Sequence, residues 1–506
     1  MGVILFIAGA FVNGFYKVFT WPVFPMMMIG IVAGMIVGLI PGLGGLIAHI
    51  LLIPFALQMD PLNAYVMLLG VYAVTTQTDS IPAVLLGVPG TAAALATSLD
   101  GYPMAKRGEA GRALCASYYA SILGTFVATA IFILFLPGLR ALVNNFSSPE
   151  FFMLVMLGLV MASSLSGKSA ARGLLMGGLG LMISMIGQAP GTGDTRFAGP
   201  FLYLWEGMPL IPIVLGLFAV PEVIDLAIRN TTIASSEVGR KVSGLWTGFV
   251  DCARNWWLVV KCSVVGVITG FIPGLGGAVA EWMSYAIAVA SDKNPDSFGK
   301  GNVRGVIAPE TGTASHKPGA IIPTVAFGIP GNNAMAVLLV VFVIIGLRPG
   351  PEMLDTQLDL TFTMVSVVIV GNIVAALLAL ILQRWLVMLC FIRANLLVPF
   401  ILAAMIVGAT FARLSFGDIM VFLAAGTLGY VFKHADWPRV PLVMGLIMGR
   451  IAEPYLFSTV DRYNYEWLYT RPIVVVLIIF ICMALAAPYY RRWRNKGAPG
   501  PRIRGS

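Results

Sequence analysis

Charge is what this chain has least of. Asp, Glu, Lys and Arg make up only 11% of the 506 residues, 58% are hydrophobic, and mean hydropathy is +0.89. That balance excludes a water-soluble globule with a polar surface. No stretch is long and polar enough for a separate soluble domain. The five cysteines (Cys115, Cys252, Cys262, Cys390, Cys482) are scattered, without the paired spacing that zinc or redox chemistry requires, and are expected to be buried and inert. A Ser/His/Asp order and a Walker loop are absent, and the glycine runs lack a following βαβ pattern, so nucleotide binding and ATP-driven transport have no support. The net charge of +9 resides in short turns and the tail rather than on one face, which argues against a nucleic-acid partner.

What is present points to an all-α polytopic membrane protein. Windows of roughly 20 apolar residues, the length of a bilayer-crossing helix, recur about a dozen times, predicting about 12 transmembrane helices. Met1 to Phe15 is apolar without a basic leader or a small-residue cleavage site and is expected to be retained. Phe6 breaks the myristoylation pattern that Gly2 would otherwise open. The basic tail Arg491, Arg492, Arg494 and Lys496 predicts a cytoplasmic C-terminus.

The chain reads twice. Ile-Pro-Gly-Leu-Gly-Gly occurs at Ile40–Gly45 and again at Ile272–Gly277. Ile81-Pro-Ala-Val-Leu-Leu-Gly-Val-Pro-Gly90 returns as Ile322-Pro-Thr-Val-Ala-Phe-Gly-Ile-Pro-Gly331. Leu165-Ser166 with Gly177 and Gly180 matches Leu414-Ser415 with Gly426 and Gly429, and Pro212, Gly216 and Leu217 match Pro441, Gly445 and Leu446. Markers in one order at nearly constant offset define two repeats, 20–230 and 250–460. They are flanked by an apolar segment 1–19, a cytoplasmic linker 231–249, and 461–506 with a final span and the basic tail.

Charge sets their direction. Lys106, Arg107 and Arg112 follow the second motif of the first half, whereas the equivalent turn of the second carries Arg348 against Glu352 and Asp355. Walking from the first turn puts Lys168, Arg172, Arg240 and Lys241 inside; walking from the second, taken as outside, puts Arg384, Arg393, Lys433 and Arg439 inside. The walks agree on an inverted-topology repeat, whose broken helices or hairpins place a site near the midplane.

The candidate residues cluster at those breaks. Gly42, Gly44 and Gly45, with Gly274, Gly276 and Gly277, remove side chains where backbone approaches a ligand, and each break opens a half-helix whose N-terminal amides favour an anion. Close helix packing is the competing role of these glycines. Pro89-Gly90-Thr91 and Pro330-Gly331-Asn332, followed by Asn333, end one apolar stretch and open another; Thr91 and Asn332 are suited to N-caps or to hydrogen-bonding a ligand. Polar tracts precede both: Thr75, Thr76, Gln77, Thr78, Asp79 and Ser80, then Glu310, Thr311, Thr313, Ser315, His316 and Lys317. Such groups at membrane depth either pair or line a wet cavity. Lys317 could neutralise a substrate carboxylate, Asp79 could ligate Na⁺ or carry a proton, and His316 could do acid–base or hydrogen-bonding work. An ion pair of Lys317 with Asp79 or Glu310, serving assembly, is the alternative. His49 either faces the site or packs a helix, and His434 is assigned nothing.

At these residues the chain resembles the large membrane subunit of the tripartite tricarboxylate transporter (TctA) family. The resemblance rests on Gly38-Leu-Ile-Pro-Gly-Leu-Gly-Gly45, on Ser80 to Ala93 running into Leu99-Asp-Gly-Tyr-Pro103, and on Ala308-Pro-Glu-Thr311 with Phe327-Gly-Ile-Pro-Gly331. It implies a secondary transporter in a bacterial inner membrane, driven by Na⁺ or H⁺, importing a small di- or tricarboxylate. It also implies a small four-helix membrane subunit and a periplasmic binding protein as partners, and no enzymatic activity. Two departures from the usual pattern, Thr76-Gln-Thr-Asp79 and Thr311-Gly-Thr-Ala-Ser-His-Lys317, fall in the expected site and bear on substrate and coupling ion rather than on scaffold. Rival readings are a channel-like anion pore, with the glycine loops as a filter, and a membrane-embedded enzyme or scaffold using Asp79 and His316 as an acid–base pair.

Overall fold

The computed structural model describes residues 2–39, 44–88, 91–165, 169–190, 192–228, 244–347, 349–382, 385–386, 398–410 and 413–495. Apart from one antiparallel pairing of Gly187–Gln188 with Thr195–Arg196, the regular structure described is helical. The first half contains α1 (Gly2–Val18), α2 (Val23–Gly38), α3 (Gly44–Ala56), α4 (Pro61–Leu86), α5 (Leu95–Lys106), α6 (Ala110–Val143), α7 (Ser148–Leu165), α8 (Ala170–Ser184), α9 (Leu210–Val214) and α10 (Val220–Ile228). The second contains α11 (Leu245–Arg254), α12 (Trp256–Phe271), α13 (Gly276–Ala290), α14 (Arg304–Phe327), α15 (Asn333–Ile344), α16 (Leu358–Ile381), α17 (Val398–Thr410), α18 (Phe416–His434), α19 (Arg439–Tyr463) and α20 (Pro472–Asn495).

The protein is an all-α, polytopic membrane protein. Among the described residues the apolar stretches expected to supply about a dozen spans are partly broken into shorter helices. Among the described residues, four helices (α6, α16, α18 and α19) are long and apolar enough to cross a bilayer, or five if α1 and α2, bent by 69° to each other, act as one span. The reason is physical. The prolyl-glycine elbows divide apolar windows into helices such as α12 and α13, and α4 and α14 carry the polar tracts at 75–80 and 310–317 in their midst. Of the linker expected at 231–249, 231–243 lie outside the described residues and α11 begins at Leu245.

The chain divides into two compact units, one joining Met1–Asn145 to Pro209–His434, the other joining Phe146–Met208 to Ala435–Ser506. In the first unit α14 is the centre: every residue from Gly305 to Phe327 is buried, with α6, α12 and α13 packed around it. Its counterpart α4 is nearly as enclosed, packed by α2, α3, α5 and α16. Contacts recur with the halves exchanged. α1 packs on α16 at Gly14, where a Cβ would meet the Thr363 nitrogen at 2.7 Å, and α11 packs on α6 at Gly248, where it would meet the Arg112 oxygen at 2.3 Å. Still in this unit, Gly216, in the π-helical turn joining α9 to α10, lies against Phe422 and Ala425 of α18. In the second unit the equivalent Gly445 of α19 lies against Gly177 of α8. In each of these pairs an element of one half of the sequence packs on an element of the other.

Such helix contacts rest on backbone-to-backbone approach, as is usual where lipid offers no hydrophobic drive for association. A Cβ on Gly445 would sit 2.1 Å from the Gly177 carbonyl oxygen, whereas one on Gly178 would meet nothing within 4 Å. Gly445→Leu should therefore cost about 3 kcal/mol or more through overpacking against rigid backbone. It should remove the monodisperse peak in detergent gel filtration, while Gly178→Ala should leave it unchanged.

Candidate functional site

Within the first unit lies a cavity of about 390 Å³ bordered by both halves of the sequence. Three helix starts face it: Gly45 and Leu46 of α3, Gly276 and Gly277 of α13, and Asn332 to Ala334 at α15. α4 contributes Tyr72, Thr75, Thr76 and Asp79, and α14 contributes Thr313, His316 and Lys317. His49 of α3 and the turn at Thr91 and Ala93 complete the lining.

The sequence dictates these starts locally. α4 ends at Gly87 and α14 at Gly328, with φ of 67° and 68°, left-handed positions that glycine takes without steric cost. An N-cap follows on each side: Thr91 accepts from the Ala93 amide at 3.3 Å and Asn332 from the Met335 amide at 2.9 Å. The second elbow leaves α12 through an extended Ile272, turns at Gly274 (φ 86°) and re-enters helix at Gly276 (φ 70°). At the first, α3 begins at Gly44 with φ 64°. Gly42, Pro89 and Gly90 lie outside the described residues.

Polar groups in the cavity are held but not saturated. Lys317 Nζ donates to the Ala73 carbonyl at 2.9 Å and stands 5.6 Å from the Tyr72 ring centre. Among the described residues no carboxylate lies within ion-pair distance of it, so its ammonium is anchored without being neutralised. Asn332 donates to the Tyr72 hydroxyl at 2.6 Å and faces His316 Nε2 at 3.2 Å. The amide N–H makes Nε2 the acceptor and leaves the ring proton on Nδ1, a buried atom with no partner. Thr91 donates to Asp79 Oδ2 at 2.7 Å, while Asp79 Oδ1, Thr76 Oγ1 and Thr313 Oγ1 are buried without a partner among the described residues. Unmet groups of this kind are costly at membrane depth unless something occupies the space between them. Three helix N-termini, an ammonium and a ring N–H suit an anion.

Other residues singled out from the sequence stand behind this lining. Thr78 donates to the Val74 and Thr75 carbonyls, Ser80 to Thr76 and Thr311 to Ile307, each satisfying its own helix. Ser315 faces Gly124 and Gly266, and Gly331 rests on Ala320 and the Gly270 carbonyl. Gly44, Gly274 and Pro330 shape the breaks without lining the cavity. Glu310 accepts from the Thr97 hydroxyl at 2.7 Å, one layer behind. Tyr72 was missed in the sequence because it sits in an apolar run and is aimed inward only by the phase of α4. Glu281 was missed for the same reason on α13, and takes the Ala96 and Thr97 amides at 2.8 and 3.2 Å. Among the described residues no group of three or more His, Cys, Asp or Glu could hold a metal ion.

Comparison with known proteins decides the family. The tripartite tricarboxylate transporter TctA family matches residues 24–444. The chain belongs to that family. It is 30% identical over 476 residues to an uncharacterized 52.8 kDa protein in the TAR-I ttuC' 3'region of Agrobacterium vitis, covering 92% of this chain and 94% of that protein. An uncharacterized protein in the TAR-II ttuC' 3'region of the same organism is 28% identical over 226 residues, 44% of this chain and 93% of that one. No solved structure matches. As a TctA-family member the chain is a multi-pass subunit of a tripartite transporter, and the family is one of transporters rather than enzymes.

Two neighbouring glycines of this TctA-family chain separate strain from access. A Cβ on Gly276 meets open space but must adopt φ 70°, so Gly276→Val should lower stability by about 1–2 kcal/mol. A Cβ on Gly277 makes only ordinary contacts, 3.6 Å to Ala93 and 3.7 Å to Thr313, and projects among the cavity-lining side chains. Gly277→Val should therefore melt near the wild-type temperature in detergent yet abolish uptake.

Proposed function

We propose that the protein is the large subunit of a secondary active transporter that imports a small di- or tricarboxylate across a bacterial inner membrane, with its C-terminus cytoplasmic. The gradient of Na⁺ or H⁺ supplies the energy, and a small four-helix membrane subunit and a periplasmic binding protein complete the system. The observation that carries this reading is the convergence of three helix N-termini and Lys317 on one cavity of about 390 Å³, a volume suited to a small ligand. Helix dipole ends orient one carboxylate, Lys317 offsets charge, and the unpartnered hydroxyls and His316 Nδ1 supply directed hydrogen bonds. Two inverted repeats provide the two exposures of such a site, moving as an elevator against the remaining helices.

The test is uptake of [14C]citrate by cells expressing the three-part system. Accumulation above equilibrium that collapses when the ion gradients are dissipated supports a coupled carrier; purely downhill flux identifies a pore instead. Lys317→Met should raise the half-saturating concentration roughly tenfold to a hundredfold, the loss of about 1.5–3 kcal/mol from a charged hydrogen bond. Disappearance of the variant from the membrane fraction would assign the lysine to assembly.

A further inference from the structure

At the cavity and behind it the described residues of the first unit bury more negative charge than positive. Asp79, Glu281 and Glu310 are 6%, 0% and 2% exposed, and among the described residues Lys317 is the buried cation, facing Asp79 and Glu310. Three ionised carboxylates against one ammonium would leave uncompensated charge at membrane depth, which buried sites avoid by holding a proton.

The hydrogen bonds say where. Glu281 Oε1 receives the Ala96 and Thr97 amides, so it stands as the anion capping the start of α5. Asp79 Oδ2 receives the Thr91 hydroxyl. Glu310 has no backbone donor among its contacts: the Thr97 hydroxyl serves Oε1, and the hydroxyls of Ser80 on α4 and Ser117 on α6 face its carboxyl. Ser80 is already spent on the Thr76 carbonyl. Among the described residues neither the Ser117 hydroxyl, fully buried, nor Glu310 Oε2 has a hydrogen bond to any other group. The Ser117 hydroxyl can donate to Oε2 of the carboxylate or accept from it once a proton is bound, so this site can satisfy either charge state of Glu310. Asp100 of α5 does not enter the balance, being held by Tyr285 and the amides of Gly301 and Asn302.

We propose that the Glu310 carboxyl, set between Thr97, Ser80 and Ser117 and joined to Glu281 through Thr97, is the site that binds the coupling proton. This rests on the transporter reading above and deepens it. Protonating Glu310 removes one negative charge from behind the cavity and so favours the anion; the anion in turn favours the proton, because linkage is reciprocal. On the cytoplasmic side the Glu310 O–H bond breaks, the proton passes to water, and the restored carboxylate expels the anion. The step moves a proton only, with no oxidant or reductant.

Dicyclohexylcarbodiimide, which reacts with protonated carboxyls in apolar surroundings, tests the site on the full-length chain in liposomes. Peptide mass spectrometry should find the adduct on Glu310, strongest at acid pH and weakening as the pH is raised; no adduct at the lower pH, or one indifferent to pH, overturns the proposal. In cells expressing the three-part system, Glu310→Gln should abolish protonophore-sensitive [14C]citrate accumulation while retaining exchange of internal for external citrate. Should wild-type accumulation follow the Na⁺ gradient and ignore a protonophore, the proton site falls and the transporter reading stands. A pH-dependent adduct with no citrate movement in the wild type would overturn the proposal as a coupling site together with the transporter reading.

Discussion

Everything in the first unit depends on enclosing a polar helix. α14 carries Glu310, Thr311, Thr313, Ser315, His316 and Lys317 along a length in which no residue from Gly305 to Phe327 is exposed. Lipid cannot solvate those groups, so other helices must surround them and supply partners or a cavity. α6, α12 and α13 do the first, and the broken helices do the second. Closeness is obtained with small residues rather than apolar side chains: Gly266 and Gly270 of α12 rest on the Gly312 and His316 carbonyls.

The breaks follow from the same constraint. An interrupted helix exposes amides that must be met inside a membrane-embedded protein. At α5 they are met by Glu281, and at α15 partly by Asn332. The starts of α3, α13 and α15 face the cavity, and the lysine beside them is anchored on a carbonyl rather than on a carboxylate. Donors without a partner among the described residues, beside a lysine held on a carbonyl, are the basis of the proposed anion site, and the buried carboxylates one layer behind are the basis of the proposed coupling. Charge on the two layers is coupled through Asp79, which lines the cavity and shares the field of Lys317.

Much of this was legible in the linear chain because it is carried by local chemistry. Gly87 and Gly328 terminate helices by their backbone freedom, Thr91 and Asn332 cap the next ones, and the duplicated motifs disclose that the two breaks are equivalent. The polar tracts at 75–80 and 310–317 were conspicuous because they cost so much in an apolar setting. Tyr72 and Glu281 were not, since an aromatic in an apolar run and an isolated acid on a short helix signal nothing until helix phase fixes their direction. Among the described residues four or five helices are individually long and apolar enough to cross a bilayer, because the breaks divide other apolar stretches into shorter helices.

The amino-acid order by itself determined the class of protein, the duplication, the positions of the breaks and the residue types that surround them, since composition, periodicity and capping act within a few residues. Tertiary structure alone decided which of those residues meet. It drew Thr76, Asp79, Thr313, His316, Lys317 and Asn332 to one cavity, withdrew Thr78, Ser80, Thr311 and Glu310 behind it, and set Lys317 on the Ala73 carbonyl instead of in an ion pair. Those outcomes depend on the rotation and approach of helices distant in sequence, which are fixed by glycine-to-backbone contacts across the two halves and leave no local trace.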